Sequence, residues 1–211
     1  MKEILLVDDH SIIRSGLKIL LGNDFSGYNF AEAANGEDFM QQIKTNDYAL
    51  IVLDINIPGS DTFEMVQEVL KLKPASKILI FSMSSENFYA RRFLKIGAMG
   101  YVRKDEPAEQ IKAAVSCVLN NKRYFSPTLS QGFASEMFEK ITDSPFEKLS
   151  PKQFEIARFL MQGKTISDIC NCMKLHSSTI STQKNRIFEK LHINNLVDLY
   201  ALAKLHVSVM N

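Results

Sequence analysis

The chain has 211 residues, of which 45% are hydrophobic and 23% charged, with a formal net charge of +1. That balance suits a soluble globular protein with material for two domains. It excludes a membrane-spanning helix, since no apolar run approaches the roughly 20 residues one needs. The first residues lack the basic and apolar regions of a secretory leader, so a cytoplasmic protein without membrane contact is expected.

Five short apolar runs are predicted as strands, at 3–8, 28–33, 49–53, 77–81 and 99–102. Runs this apolar suit a parallel sheet covered on both faces. Between them lie helical periods. Ile12, Gly16, Leu17 and Leu20 share one face, as do Phe63, Val66 and Leu70, and then Ile111, Ala114, Val115, Val118 and Leu119. Five β-α repeats predict a doubly wound α/β domain over 1–122. From 123 to 146 the strand pattern stops, and "SPTLSQGFASEMFEKITDSPFE" is expected to be a linker with a helix at 128–140.

Four helices are expected in the remaining residues, 147–211. Ser150 caps the first, with Pro151 at its first helical position and Gln153 completing a capping box, and Gly163 ends it. Thr165 caps the second, with Ile166, Ile169, Cys170 and Met173 inward. After "KLHS" comes a longer helix with Ile180, Ile187 and Leu191 inward, and a last one at 195–206 presents Leu196, Leu199 and Ala203. Charge divides along the same lines. Residues 1–122 hold 14 Lys/Arg against 16 Asp/Glu, whereas 147–211 hold 9 against 5. An acidic front and a basic tail point to different partners. The three cysteines, with a C-N-C spacing for the last two, form neither a disulfide framework nor a zinc knuckle.

Four of the predicted strands run into chemically useful side chains. "LLVDDH" ends on Asp8 and Asp9, "LDINIPG" carries Asp54, "IFSMS" carries Ser82, and "YVRKD" carries Lys104. Ligands of an open parallel sheet bind outside the carboxyl ends of its strands, so these five residues are expected to converge although as many as 96 positions separate them. Three carboxylates brought together raise one another's pKa. A hard dication such as Mg²⁺, which takes carboxylates and phosphate oxygens, relieves that conflict. A carboxylate can also accept a phosphoryl group, whose oxygens then need a cation and donors of the kind Lys104 and Ser82 offer.

These four motifs resemble the receiver domain of two-component response regulators over essentially residues 1–122. The resemblance implies that Asp54 accepts a phosphoryl group from a sensor histidine kinase. It implies that Asp9, Asp54 and the backbone carbonyl of Asn56 bind Mg²⁺ directly, with Asp8 acting through water. It further implies that Lys104 and Ser82 bind the phosphoryl group and that Ser82 and Tyr101 move on activation. Thr62 departs from the pattern, where Gly is common. His10 has no partner at ligand spacing and is read as structural.

"TISDICNCMKLHSSTISTQKNRIFEKL" has the order scaffold helix, tight turn, longer helix that fits a helix-turn-helix. The outward positions Ser178, Ser181, Thr182, Lys184, Asn185 and Lys190 are short polar or basic, suited to base edges and phosphates of double-stranded DNA. Lys184 and Asn185 are the best candidates for direct contacts. The segment 147–206 is similar to the LuxR-type helix-turn-helix that follows a receiver in the NarL/FixJ class. Gln153 stands where Glu is usual, His176 where Ser is frequent, and Ser181 and Gln183 where Lys and His are common; Ser177 is an alternative cap. The resemblance implies a homodimer on DNA, with Leu196, Leu199 and Ala203 near its axis. The expected function is a phosphorylation-dependent transcription regulator that is not an enzyme, beyond catalysing its own phosphorylation and dephosphorylation. The alternatives are a metal-dependent phosphotransferase or phosphatase, and a receiver whose tail recruits protein.

Overall fold

The computed structural model describes residues 2–84, 86–126 and 145–205. They fall into two compact units, Met1–Lys140 and Ile141–Asn211. The helix expected at 128–140 lies outside the described residues.

The first unit runs β1 (Lys2–Val7), α1 (Ser11–Gly22), β2 (Tyr28–Ala33), α2 (Gly36–Thr45), β3 (Leu50–Leu53), α3 (Thr62–Leu72), β4 (Ile78–Ser82), α4 (Glu86–Lys95), β5 (Gly100–Arg103) and α5 (Ala108–Leu119). The strands form one parallel sheet in the order β2-β1-β3-β4-β5. Strand order therefore reverses between β1 and β3, which opens the crevice there. Ile4–Val7, Leu50–Leu53 and Ile78–Phe81 are buried along their whole lengths. Being covered on both faces explains why these runs are continuously apolar and do not alternate.

Side chains cap the helices that flank the crevice. Asn35 Oδ1 accepts from Asp38 N at 2.9 Å, and Asp61 Oδ1 accepts from the Phe63 and Glu64 amides. The expected face of α1 is corrected by the structure. Ile12 is 76% exposed and Gly16 is also outside, while Ile13, Leu17, Leu20 and Leu21 pack on the sheet. At 3.6 residues per turn the inward stripe passes through 13, 17, 20 and 21, one step around from 12 and 16.

Packing of this unit continues past Lys122. Tyr124 bridges to Gly100 in parallel, and its amide donates to Met99 O at 2.8 Å. A Cβ on Gly100 would lie 3.0 Å from the Tyr124 Cβ, so a larger residue would have to push this close crossing apart by a few tenths of an ångström.

In the second unit a 3₁₀ turn, Pro145–Lys148, precedes α6 (Pro151–Met161), α7 (Ile166–Met173), α8 (Ser177–Leu191) and α9 (Leu196–Leu205). The expected capping box of Ser150 with Gln153 forms, and the Thr165 cap makes a second box with Asp168. Gly163, at φ 76°, turns the chain out of α6. Phe146, Leu149, Phe154, Ile156, Leu160, Ile169, Ile180, Ile187, Leu191 and Leu199 make the core. His176, not Ser177, holds the cap position of α8, and its side chain makes no capping bond. On α9, Leu199 and Ala203 are buried in their own unit, whereas Val197 is 75% and Tyr200 39% exposed. The outward face of that helix is thus the complement of the one expected. Among the described residues no helix is long and apolar enough to cross a membrane.

Candidate functional site

Each acid of the crevice stands just past a buried strand, where the chain leaves the sheet. Asp8 and Asp54 are 2% and 3% exposed. Lys104, following β5, reaches both: its Nζ lies 2.5 Å from Asp8 Oδ2 and 2.8 Å from Asp54 Oδ2. One ammonium thus joins the ends of β1, β3 and β5, and it balances one of the two carboxylates. Burial raises the Asp54 carboxyl above the ordinary aspartate range; Lys104 opposes this and the neighbouring Asp8 adds to it. For Lys104 burial is the largest influence and works against the charge, but Asp54 and Asp8 together outweigh it and hold the ammonium above its usual pKa.

Asp9 takes a different position. Its Oδ1 is buried and has no hydrogen-bond partner among the described residues, although His10 Nδ1 is 2.8 Å away. The His10 amide and ring both bond Asp8 Oδ1, at 2.8 and 3.2 Å. Ligand atoms of Asp8, Asp9 and His10 lie within 4.8 Å of one another. Sequence reading found no partner for His10 because the residue it bonds, Asp8, lies only two positions before it. Arg14 was missed as well. Its Nη1 donates to Asp8 O at 2.6 Å and its Nε to Glu32 Oε2 at 2.5 Å, pinning the acidic turn to the end of β2. Only the tertiary pairing of β1 with β2 makes that link visible.

The donor set suits a hard dication. It offers carboxylate oxygens, one of them a buried oxygen that accepts no hydrogen bond among the described residues, beside the loop carrying Asn56. That loop is tied down at both ends. The Asn56 amide donates to Asp54 Oδ1 at 3.3 Å, and buried Thr62 donates its hydroxyl to Ile55 O at 2.8 Å. Thr62, where glycine is common in the resemblance, thus closes the loop through its side chain.

Ser82 is fully buried, and its Oγ accepts from Ser84 N at 3.1 Å. Tyr101 is buried too, with its hydroxyl donating to Ser84 O at 2.9 Å. Asn56 Nδ2 approaches Ser84 Oγ at 3.4 Å. Ser84 therefore links the loops after β3 and β4 with the aromatic ring of β5.

In the second unit, α7 and α8 meet at a turn whose Lys174 is left-handed, φ 51°. Ser178, Thr182, Asn185 and Arg186 are exposed on α8. Ser181 and Lys184 are half-buried, with the Lys184 ammonium 5.4 Å from the Phe188 ring centre. Lys190 does not join this face freely, since its Nζ donates to Gln153 Oε1 at 2.9 Å.

Two family models match the chain. Residues 4–116 match the response regulator receiver domain, and residues 147–203 match the bacterial regulatory proteins of the luxR family. Response regulator UvrY of Escherichia coli K12 is 29% identical over 208 residues, covering 98% of this chain and 95% of its own length. Response regulator GacA of Pseudomonas protegens is 30% identical over 207 residues, covering 98% and 97%. Among solved structures, RcsB of Salmonella enterica serovar Typhimurium, bound to promoter rprA in the presence of phosphomimetic BeF₃⁻, superposes with a TM-score of 0.60 at 20% identity. That match covers 95% of this chain and 97% of the other, and it speaks for the fold. The paired acids, the lysine that bridges them and the helix-turn-helix behind them are accounted for together: this chain belongs to the two-component response regulators of the NarL/FixJ class, which join a receiver to a LuxR-type DNA-binding domain.

Proposed function

We propose that Asp54 accepts a phosphoryl group from the phosphohistidine of a sensor histidine kinase, and that this modification controls binding of the second unit to double-stranded DNA. The observation that carries the reading is the Lys104 ammonium, in reach of Asp54 and Asp8 at once. In the transfer an Asp54 oxygen forms the new bond to phosphorus as the bond to the kinase histidine nitrogen breaks. The proton needed there stays with the kinase imidazole. Asp54 must be ionised to attack, and its burial works against that; Lys104 favours the charged form and then stands ready for a phosphoryl oxygen.

Asp9, Asp54 and the Asn56 carbonyl would hold Mg²⁺ directly, with Asp8 in support, and the ion when bound supplies neutralising charge to the phosphoryl oxygens. The buried Asp9 Oδ1, which accepts no hydrogen bond among the described residues and is approached by the His10 ring at 2.8 Å, supports that assignment. Ser82 turns its hydroxyl from Ser84 toward the new group, and Tyr101, bonded to the same residue, follows. The added charge, about −2, biases an equilibrium between two conformations. The chain catalyses only its own phosphorylation and dephosphorylation, and it works in the cytoplasm.

On DNA, α8 enters the major groove, with Ser178, Ser181, Thr182, Lys184 and Asn185 facing bases and phosphates. Two copies bind together, as the RcsB dimers solved on DNA do. Their contact uses the exposed Val197 and Tyr200 of α9, because Leu199 and Ala203 are spent in the core. The test of the whole reading is Mg²⁺-dependent labelling by a small-molecule phosphodonor. Asp54→Asn is expected to abolish it, and undiminished labelling of the variant refutes the assigned acceptor.

A further inference from the structure

Gln153 is 3% exposed and every polar atom of its side chain is engaged. Its Oε1 accepts from the Ser150 amide at 3.0 Å, closing the capping box of α6, and from Lys190 Nζ at 2.9 Å. Its Nε2 donates to Gln183 Oε1 at 3.0 Å. Gln183 and Lys190 are seven residues apart, two turns along one face of α8. A single amide on the first helix therefore grips the DNA-reading helix at two points and ties both to the start of α6.

We infer that Gln153 is a positioning residue that fixes the orientation of α8, and that Lys190 serves as its anchor and not as a phosphate contact. The inference rests on the DNA-binding reading above. A buried polar side chain is retained where its bonds specify one geometry, because leaving any of them unmade is costly. An ammonium held by a buried amide is turned inward from the groove-facing side chains. The geometry thus separates two duties along α8. Ser178, Thr182 and Asn185 face outward, whereas Gln183 and Lys190 hold the helix at the angle that lets those residues reach base edges.

The two roles for Lys190 differ in a measurable way. Loss of a phosphate contact weakens binding to all sequences alike and lowers the slope of log affinity against log salt by about one. Loss of an anchor leaves the phosphate contacts and the slope in place but blurs discrimination, since base contacts depend on helix orientation. The full-length protein, phosphorylated with acetyl phosphate, is titrated with two duplexes. One is the sequence it enriches from a random pool, and the other is a scrambled version of the same length.

Gln153→Met keeps the volume and removes the bonds. It is expected to lower the ratio of the two affinities about tenfold, the scale of one or two hydrogen bonds. Lys190→Met is expected to lower the ratio in the same direction with an unchanged salt slope. Gln153→Glu keeps the acceptor for Ser150 and Lys190, and Gln183 can turn its own amide to donate; it is expected to preserve the ratio. Should Gln153→Met unfold the domain, Lys190→Met and Gln183→Met still decide the matter, each removing one grip. A ratio unchanged in Lys190→Met, or a salt slope reduced by about one, overturns the inference. A wild-type protein that prefers no duplex overturns the DNA-binding reading and the inference with it.

Discussion

Replacing Lys104 by Met removes the one positive charge between two acids while keeping a side chain of similar reach. The ammonium and both carboxylates are at most 7% exposed, so solvent screens them little. Removing one partner from a buried ion pair typically costs about 3–5 kcal/mol, most of it from the charge left behind. Here two carboxylates remain together, so the upper part of that range is expected at pH 8 with divalent ions chelated. Protons offer one form of relief. Asp54 is already raised by burial against the pull of Lys104, and without Lys104 it rises further. A carboxyl raised in the folded state favours folding below its unfolded pKa and loses that contribution as pH rises through the folded one. The penalty of the substitution should therefore shrink from pH 8 toward pH 5. Mg²⁺ offers the other. A ligand that binds only the folded form at 100 times its Kd adds about 2.7 kcal/mol. With the competing ammonium gone, that gain should be larger in the variant than in the wild type. The assay is urea unfolding followed by tyrosine emission. Tyr28, Tyr48, Tyr89, Tyr101 and Tyr124 lie in the first unit and Tyr200 alone in the second, so the signal reports mainly on the receiver. A loss that is the same at both pH values, with and without Mg²⁺, refutes the assigned electrostatics.

Thr62→Val removes the hydroxyl that Ile55 O accepts from and should cost about 1–3 kcal/mol of receiver stability in the same unfolding assay, since the carbonyl is buried with its partner gone. Val197→Asp should weaken paired binding to a two-site duplex while leaving the melting temperature of the protein nearly unchanged, because Val197 is solvent-exposed. Leu199→Ala should do the reverse and destabilise the second unit by about 2–5 kcal/mol, as a buried Leu truncation does. Lys184→Ala should reduce affinity for DNA, measured by fluorescence anisotropy, with phosphodonor labelling intact; undiminished affinity removes Lys184 from the interface.

Much of the receiver was legible before any coordinates. Continuous apolar runs and period-3.6 patterning are local properties, and the β-α alternation they revealed implies a parallel sheet with strand ends on one edge. That was enough to bring Asp8, Asp54 and Lys104 together across 96 positions. The same local logic located the Ser150–Gln153 capping box and the Thr165 cap, each set by residues within one helical turn.

What escaped the sequence depended on rotations and pairings that no local pattern encodes. A helix with apolar residues on adjoining stripes does not say which stripe packs inward; docking on the sheet chose Ile13 over Ile12 beside the expected Leu17, and docking in the second unit spent the expected Leu199 in its own core and left Val197 outside. His10 and Arg14 carry no signature of their own, and their roles arise from where the β1–α1 turn meets Asp8 and the end of β2. Lys190 looked like one more surface cation on a basic helix until the packing of α6 against α8 placed a buried amide within its reach. Chain periodicity determined the fold and the chemistry available at its strand ends. Only tertiary packing decided which of the remaining polar side chains face solvent and which hold the structure in place, because those bonds join residues distant in sequence whose meeting depends on the angle between packed elements.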